Sequence, residues 1–593
     1  MPYRKVINLF LLLTCFFSYS CKKYLNKTLA ADVTENQVFS TFPTFQGFIE
    51  RLYCDIIDFG TMSRVGTQWN YGDDIWCADV YNQLIIGNTA IAQVGGDQSQ
   101  YHFTDATFTR GCTPFTSTRG IWNNGWAAIR DCNAGLAHFN ILQDATDEEK
   151  DLLKGQLYFF RGYFHWQIMK QWGNIPYSDT LLVPGDVMRI PQLSMFATGE
   201  KVLADLQKAA LLLPVDWDAT TIGQATLGIN RGRLTKGMAY SFMAEAQLWL
   251  GSPLMNGVQT GSYTYNTDYC KKAASSAWKV IELANKGTYA LNTWANYGNL
   301  FKTDNRTEPG TSKEIIFKAP YLGENSRFHV GSAVLPAVGG DGRFFGVTQN
   351  YVELFETSKG LPIDDPASAF NAADPWSNRD PRFKNAVYVD QDRIVENRND
   401  ELGFAQFYTG GRDRGASSSQ TAFGMRKFLF TSWNKFDNKW GANGNICVPI
   451  LRLAEIYLFY AEAANEGYGS PTEKDPDANL TALDAVNLVR ARATMPQVND
   501  KFLSKTEFRE RVRNERAVEL CFEAKRRDDL RRWHIATQPK YRDLYSCEFP
   551  QDHTSFRNQF IMSIVFDREK YYWFAYPAAQ VLLYPEWKQN IGW

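Results

Sequence analysis

Apolar residues recur along one side of a helix in several stretches of this chain. Ile121, Trp122, Trp126, Ile129, Leu136 and Phe139 fall on one broad stripe and predict a helix over Ile121–Leu142. A second begins at Asp147, with acidic residues in its first turn, and runs to Trp172, where Gly173-Asn174-Ile175-Pro176 stops it. Further helices are predicted over Gly199–Leu213, Thr235–Leu250 and Thr267–Asn285. Late in the chain come Pro449–Glu466, which carries Leu453, Ile456, Tyr457, Tyr460 and Ala464, then Ala482–Ala493, and a single long helix over Lys505–Trp533. Helices arriving in pairs, with small residues at their contacts, predict antiparallel hairpins stacked side by side. Their spacing is too irregular for a regular repeat array.

Two long stretches rich in Gly, Asn, Asp and aromatics interrupt these helices, Phe59 to Gly120 and Tyr289 to about Asn445. Loops of that length are functional or carry short strands of their own. The fold class read from the pattern is therefore mainly α, with long irregular excursions and a few short strands. At 593 residues, 44% hydrophobic and 21% charged, the chain has ample core and is not globally disordered. Lys plus Arg total 63 against 64 Asp plus Glu. Without a basic excess, nucleic acid is not a predicted partner. The most charged stretch, Lys505–Trp533, intersperses ten basic with seven acidic residues and forms no basic stripe.

The first twenty residues read as an export signal. Arg4 and Lys5 precede a twelve-residue apolar run, Val6 to Phe17, too short to span a bilayer. Ser18, Tyr19 and Ser20 then lead to Cys21, which resembles the end of a bacterial lipoprotein signal. Cys21 is accordingly expected to be acylated and to hold the protein on a membrane through its acyl chains. The predicted organisation is a signal at 1–20 followed by regions 21–250 and 251–593 packed as one unit. Removing the signal takes the net charge from −1 to −3. The cysteines beyond Cys21 are scattered with no C-x-x-C pair, so neither a zinc site nor a small disulfide scaffold is indicated.

Catalytic motifs are not assembled. The histidines stand alone, without H-E-x-x-H spacing. Gly339-Gly340-Asp341-Gly342 lacks the Lys-Ser/Thr ending of a phosphate loop, and Gly415-Ala416-Ser417-Ser418-Ser419 lacks the second glycine of a nucleophile elbow. Asp475, Asp477 and Asn479 alternate oxygen ligands but lack the glycine and terminal glutamate of a calcium loop. Glu515, Glu519 and Glu523 lie four apart and admit two readings. They are a glycosidase acid/base pair, or partners for Arg452, Arg490 or Arg492 that fix helix register. The second reading is preferred, and no catalytic residue, metal or cofactor is assigned.

The positive signal is aromatic. Trp, Tyr and Phe make up 15% of the chain, and many fall in the excursions beside polar residues. Stacking a sugar ring on Trp or Tyr desolvates two apolar faces while neighbouring polar groups read hydroxyls. The candidate ligand residues are Trp69, Tyr71, Asp73 and Trp76 in the first excursion, and Trp294, Tyr297, Arg327 and Trp376 in the second. They are expected to form an exposed platform, with Trp294 or Trp376 opposite Trp69 and Trp76.

An ordered set of motifs resembles the SusD/RagB family of nutrient-binding outer-membrane lipoproteins of Bacteroidetes. It comprises Trp122, Ile129 and Asn133; Arg161-Gly162-Tyr163; Trp172-Gly173; and Ile175-Pro176-Tyr177. Lys359-Gly360-Leu361-Pro362 and Arg379-Asp380-Pro381-Arg382-Phe383 follow, then Leu451 to Leu458 with Tyr460-Ala461-Glu462-Ala463. Asn487 to Arg490, Glu515-Arg516, Asp529 to Trp533 and the terminal Gln589-Asn590-Ile591-Gly592-Trp593 complete it, with Ile591 where the family has proline. The resemblance implies a tetratricopeptide-like scaffold at the cell surface. It also implies capture of oligosaccharides without chemistry, for a TonB-dependent, SusC-like transporter. Some family members take peptides, so a peptide or glycoprotein-fragment binder is one alternative reading; a secreted glycoside hydrolase is the other.

Overall fold

A computed structural model describes residues 34–56, 72–77 and 121–593, leaving out within the last span 183–184, 186–189, 304–307, 309, 321–334, 336–337, 340–344, 416–417, 438–444, 565 and 567–568. The helices that build the scaffold are α1 (Glu35–Phe39), α2 (Phe42–Tyr53), α3 (Ile121–Ala137), α4 (Asp147–Trp172), α5 (Met195–Leu212) and α6 (Lys236–Gly251). They continue with α7 (Pro253–Thr260), α8 (Thr267–Asn285), α9 (Leu453–Tyr468), α10 (Ala482–Arg492), α11 (Lys505–Glu519) and α12 (Arg526–Arg532). They pack as a relay: α3 on α4, α4 on α5, α5 on α6, α6 on α8, α8 on α9, and α9 on α10 and α11. The second excursion separates α8 from α9 in sequence, yet the two are neighbours in space. The mainly-α stack predicted from the periodicity is the observed architecture.

Local chemistry explains the best-defined ends. Thr146 caps α4 while the Glu149 carboxylate returns to the Thr146 amide, a reciprocal box behind three acidic residues. Gly173 ends α4 at φ +76°, a conformation that favours glycine. Two boundaries differ from expectation. α5 starts at Met195, because Ser194 supplies the cap, rather than at Gly199. The helix expected over Lys505–Trp533 is broken into α11 and α12, with Phe522 and Ala524 both at φ 61° between them. Glu, Leu, Ala and Lys favour helix there, so tertiary contacts override propensity. Arg452 and Lys427 donate to the carbonyls of Glu519 and Cys521, and the Glu523 side chain turns inward to meet both cations.

Of three short strand pairs, two clip distant segments together and the third closes a local hairpin. Ile75–Cys77 pairs with Phe345–Val347, Ile315–Phe317 with Leu451–Arg452, and Asp543–Glu548 with Arg557–Ser563, all antiparallel. One hydrophobic cluster runs from Phe39 to Trp587, and a small second one holds Trp76, Leu544 and Ile564. In the first, Tyr163, Phe242 and Phe317 meet at 5.1–5.6 Å between ring centres. Cys54 is disulfide-bonded, whereas Cys132, Cys270, Cys521 and Cys547 are buried thiols.

Several motifs singled out in the sequence converge at one end of α3 and α4. Arg161 forms a bidentate pair with Asp205 (2.6 and 2.9 Å) and donates to Asn133 Oδ1. Asn133 Nδ2 in turn holds the carbonyls of Ser178 and Thr180. His165 donates from Nδ1 to the Arg161 carbonyl and accepts the Ser178 amide at Nε2, so it sits as the neutral tautomer. Burial lowers its pKa to about 3. The turn after Pro176 is thereby held by Asn133 and His165. The C-terminal motif closes the same end: Asn590 Nδ2 donates to the carbonyls of Trp172 and Phe574, and Trp593 Nε1 to those of Lys570 and Trp573. Ile591 is 63% exposed, so a side chain other than proline is accommodated there.

Candidate functional site

The second excursion builds its site on an arginine. Arg379 is buried and donates to the carbonyls of Val352, Phe355 and Pro375, fixing the turn that carries Trp376. Burial lowers its pKa to about 10, with the charges of Glu353 and Asp380 only partly opposing. Its neighbour Asp380 caps the short helix Pro381–Ala386 and pairs with Arg382. Trp376 is half-buried, seated edge-to-face against Phe549 and Phe556 at 5.1 Å and His553 at 5.4 Å. Phe556 and His553 are also half-buried, whereas Phe549 is 2% exposed. His553 Nε2 meets the buried Asp390 carboxylate at 2.9 Å. The rim is polar: Asn371, Asp374, Asn378, Asp552 and Thr554 are exposed. This is a firmly supported aromatic surface ringed by groups able to bond hydroxyls.

A second exposed ring sits in the turn Trp294–Leu300. Half-buried Trp294 stacks on Tyr297 at 5.3 Å and 25°. Tyr297 itself is 4% exposed, donates its hydroxyl to the Glu519 carbonyl and lies 4.5 Å beneath the Arg492 guanidinium. It is therefore a support for Trp294 and not, as expected, a ligand surface. Trp294 and Trp376 make no ring contact with each other.

The first excursion corrects the expectation further. Trp76, expected to be exposed, is 2% exposed and packs with Leu544 and Ile564. Asp73, expected to read hydroxyls, is buried and holds Arg526 of α12 through both carboxylate oxygens at 2.6 and 2.8 Å. Its peptide carbonyl accepts from Thr348 Oγ1. These two residues root the excursion on later parts of the fold, Trp76 through its strand, which pairs with Phe345–Val347, and Asp73 through Arg526 and Thr348. Trp69, Tyr71, Arg327 and Cys21 lie outside the described residues.

Glu515, Glu519 and Glu523 resolve in favour of the pairing reading. Arg382 and Arg490 take the two oxygens of Glu515; Arg452, Arg492 and Arg382 take those of Glu519; Lys427 and Arg452 take those of Glu523. Burial would raise Glu519, but the guanidinium groups of Arg492, Arg452 and Arg382 hold it well below the usual carboxylate range. With every oxygen committed to a buried cation, none of the three is placed to act as a general acid or nucleophile. Asp475 is likewise engaged locally, accepting the Asp477 amide and the Tyr468 hydroxyl.

Family comparison places this arrangement. A model of the SusD family matches residues 313–593, and one described as starch-binding associating with outer membrane matches 77–246. This chain belongs to the SusD family. Among relatives, it is 24% identical over 439 residues to SusD-like protein P2 of Formosa agariphila, covering 70% of this chain and 72% of that one. It is also 24% identical to the starch-binding protein SusD of Bacteroides thetaiotaomicron, covering 70% and 71%. A solved SusD-like carbohydrate-binding protein of Bacteroides fragilis superposes with a TM-score of 0.68 at 20% identity, over 93% of this chain and all of that one. A second SusD-like protein of that organism gives 0.69 at 23% identity, covering 94% and 99%. These likenesses establish the SusD fold.

Sequence reasoning missed His553 and Phe556, which complete the surface at Trp376. The available signal was Phe549-Pro550-Gln551-Asp552-His553-Thr554-Ser555-Phe556, a polar turn bracketed by aromatics between two strands.

Proposed function

We propose that this SusD-family chain is a surface-exposed, non-enzymatic glycan-binding lipoprotein of the outer membrane, anchored through Cys21, that passes captured oligosaccharides to a TonB-dependent transporter. The observation that carries the binding step is the half-buried Trp376 with its aromatic neighbours and polar rim. Because Arg379 and Phe549 hold it in place, little entropy is lost when a sugar ring stacks there. The family descriptions and the relatives' names support both the glycan and the membrane association. A binder that performs no chemistry is also consistent with the fully paired carboxylates of Glu515, Glu519 and Glu523.

The test is a glycan panel read by calorimetry on the mature chain and on Trp376→Ala. Loss of the ring should weaken the best glycan by roughly 1–3 kcal/mol, about five- to a hundredfold. Unchanged affinity removes Trp376 from the site, and product formation in the same samples overturns the non-enzymatic reading. Cys21→Ala should release the protein from the membrane fraction, and affinity purification of the native protein should bring down a large β-barrel.

A further inference from the structure

The motif-rich end of α3 and α4 also bounds a cleft of about 300 Å³, separate from the Trp376 surface. That is the lower end of the size range of small-ligand sites, roughly the volume of one or two sugar rings. One wall is a stripe of α3 bearing Trp126 and Arg130. The other is the turn after Pro176, and Tyr584 of the C-terminal arm closes the end. Trp126 and Tyr584 are each half-buried. Trp126 is braced edge-on by Trp122 and His165 at 5.7 Å, and Tyr584 lies flat on buried Trp587 at 4.8 Å and 18°. Both rings are thus held before any ligand arrives. The turn opposite is fixed by Asn133 and His165, so the cleft is preformed.

Its polar groups have one sign. Arg130 is exposed at the cleft, Thr180 and Gln580 offer a hydroxyl and an amide, and among the described residues no Asp or Glu lines it. Arg130, Thr180 and Gln580 use no side-chain hydrogen bond on a described residue, in contrast to the buried arginines of this fold. Flat aromatic walls suit the apolar face of a pyranose, and an unpaired guanidinium suits a planar or tetrahedral oxyanion.

We propose that this cleft is a second saccharide subsite that takes an acidic sugar unit, carrying a uronate carboxylate or a sulfate. The aromatic walls hold the ring and Arg130 holds the anion. The proposal rests on the glycan-binding reading above but uses a different surface, so the two can fail separately.

The mature full chain is titrated calorimetrically with digalacturonate, with a sulfated galactose disaccharide and with neutral cellobiose. Saturable binding of at least one charged disaccharide is expected, tenfold or more tighter than cellobiose and weakening as salt rises. The preferred charged arm tells carboxylate from sulfate. Arg130→Gln, at an exposed position, should weaken that binding tenfold or more and abolish its salt dependence. Trp126→Ala should weaken it to a similar degree, while Trp376→Ala leaves it unchanged. No saturable binding of either charged sugar, equal affinity for cellobiose, or an Arg130→Gln variant that binds as the parent does would overturn the proposal. Trp376→Ala that abolishes the charged-sugar binding would place it at the first surface and overturn it as well.

Discussion

The helices before Asn285 and the elements after Tyr289 are held together by different physics. In the first region α4, α5 and α6 meet mostly through aromatic and aliphatic side chains, with Tyr163 and Phe242 in ring contact and Trp166 against Trp249 at 5.9 Å, and isolated ion pairs, Arg161–Asp205 and Lys170–Glu245, stand between them. In the second, buried charges dominate. Arg452 and Glu519 are both 0% exposed and 2.6 Å apart, and Glu314, Glu523, Arg382, Arg490 and Arg492 extend the network. Apolar packing is non-directional and suits regular helices whose ridges already fit. Ion pairs are directional, and the second region must position irregular segments: Glu314 immediately precedes the strand Ile315–Phe317, and Arg382 lies in the short helix Pro381–Ala386 that follows the Trp376 turn. A buried pair is weak evidence for stability in itself, since desolvation offsets much of the attraction, so register is the better account of the network.

The largest effects should separate these two regimes. Arg452→Met leaves Glu314, Glu519 and Glu523 short of a partner and should cost about 3–5 kcal/mol of unfolding free energy. Phe242→Ala should cost a similar amount, about 3–5 kcal/mol, through a cavity. Acid distinguishes them: protonating the stranded carboxylates relieves Arg452→Met, whereas the Phe242→Ala deficit stays constant. Denaturant curves for both variants at pH 7 and pH 4.5 make the comparison. Equal deficits at both values would mean that Arg452 acts by packing alone.

The wild-type pH response should also divide by region. His165, in the first region, has a folded pKa near 3 against an ordinary 6.5 because it is buried. Between those values the unfolded chain binds the extra proton, so stability falls as pH drops from about 6.5, by up to about 1.4 kcal/mol per unit. Glu462, in the second region, is buried but held down to about 2 by Arg532. Its contribution is complete above about 4.5 and is lost only as pH falls from there toward 2. Hydrogen exchange at pH 5.5 should therefore loosen α4 before α9, and His165→Gln should flatten the stability slope between pH 6.5 and 4.5. Simultaneous loosening would contradict this order.

An effect of opposite sign runs at the root of the first excursion. Burial, reinforced by Asp73, raises Asp74 to about 8, with Arg526 only partly opposing. The folded protein then holds a proton that the unfolded chain has lost above about pH 4, so stability falls as pH rises from there toward 8. Asp74→Asn removes that dependence and should raise the unfolding free energy at pH 8 by on the order of 1 kcal/mol. A variant no more stable than wild type at pH 8 would refute the protonated state.

The helical half of this design was readable because periodicity, caps and stop signals act within a few residues. Asp147–Trp172 and Thr267–Asn285 were predicted to the residue. The break between α11 and α12 was not, because its cause lies far away in Arg452 and Lys427, while Leu520 to Lys525 look helical by themselves. The site was legible as a composition of aromatics and polar groups in excursions, which correctly picked out Trp294 and Trp376 as partly exposed rings. It could not tell them from Trp76, whose burial depends on Leu544 and Ile564 some 470 positions later. Nor could it see that Asp73 faces Arg526 rather than solvent.

Tyr297 belongs to both regimes, and the smallest predicted effect tests which one holds it. Its ring supports Trp294, while its hydroxyl reaches the Glu519 carbonyl at 3.3 Å and the Arg492 guanidinium lies 4.5 Å from the ring centre. Tyr297→Phe keeps the ring and removes one hydrogen bond to a carbonyl that also accepts from Arg452 at 2.8 Å. Since that acceptor stays satisfied, the cost should be about 0.5–1 kcal/mol, with no change in glycan affinity. Trp294→Ala on the same stack should do the reverse, leaving stability within about 1 kcal/mol of the parent because the ring is half-exposed, while lowering affinity for any glycan that spans both tryptophans. Paired denaturant and calorimetric titrations of the two variants read both quantities. If Tyr297→Phe weakens glycan binding instead, the charged network and the aromatic surface are one coupled unit, and the separation between them fails at this residue.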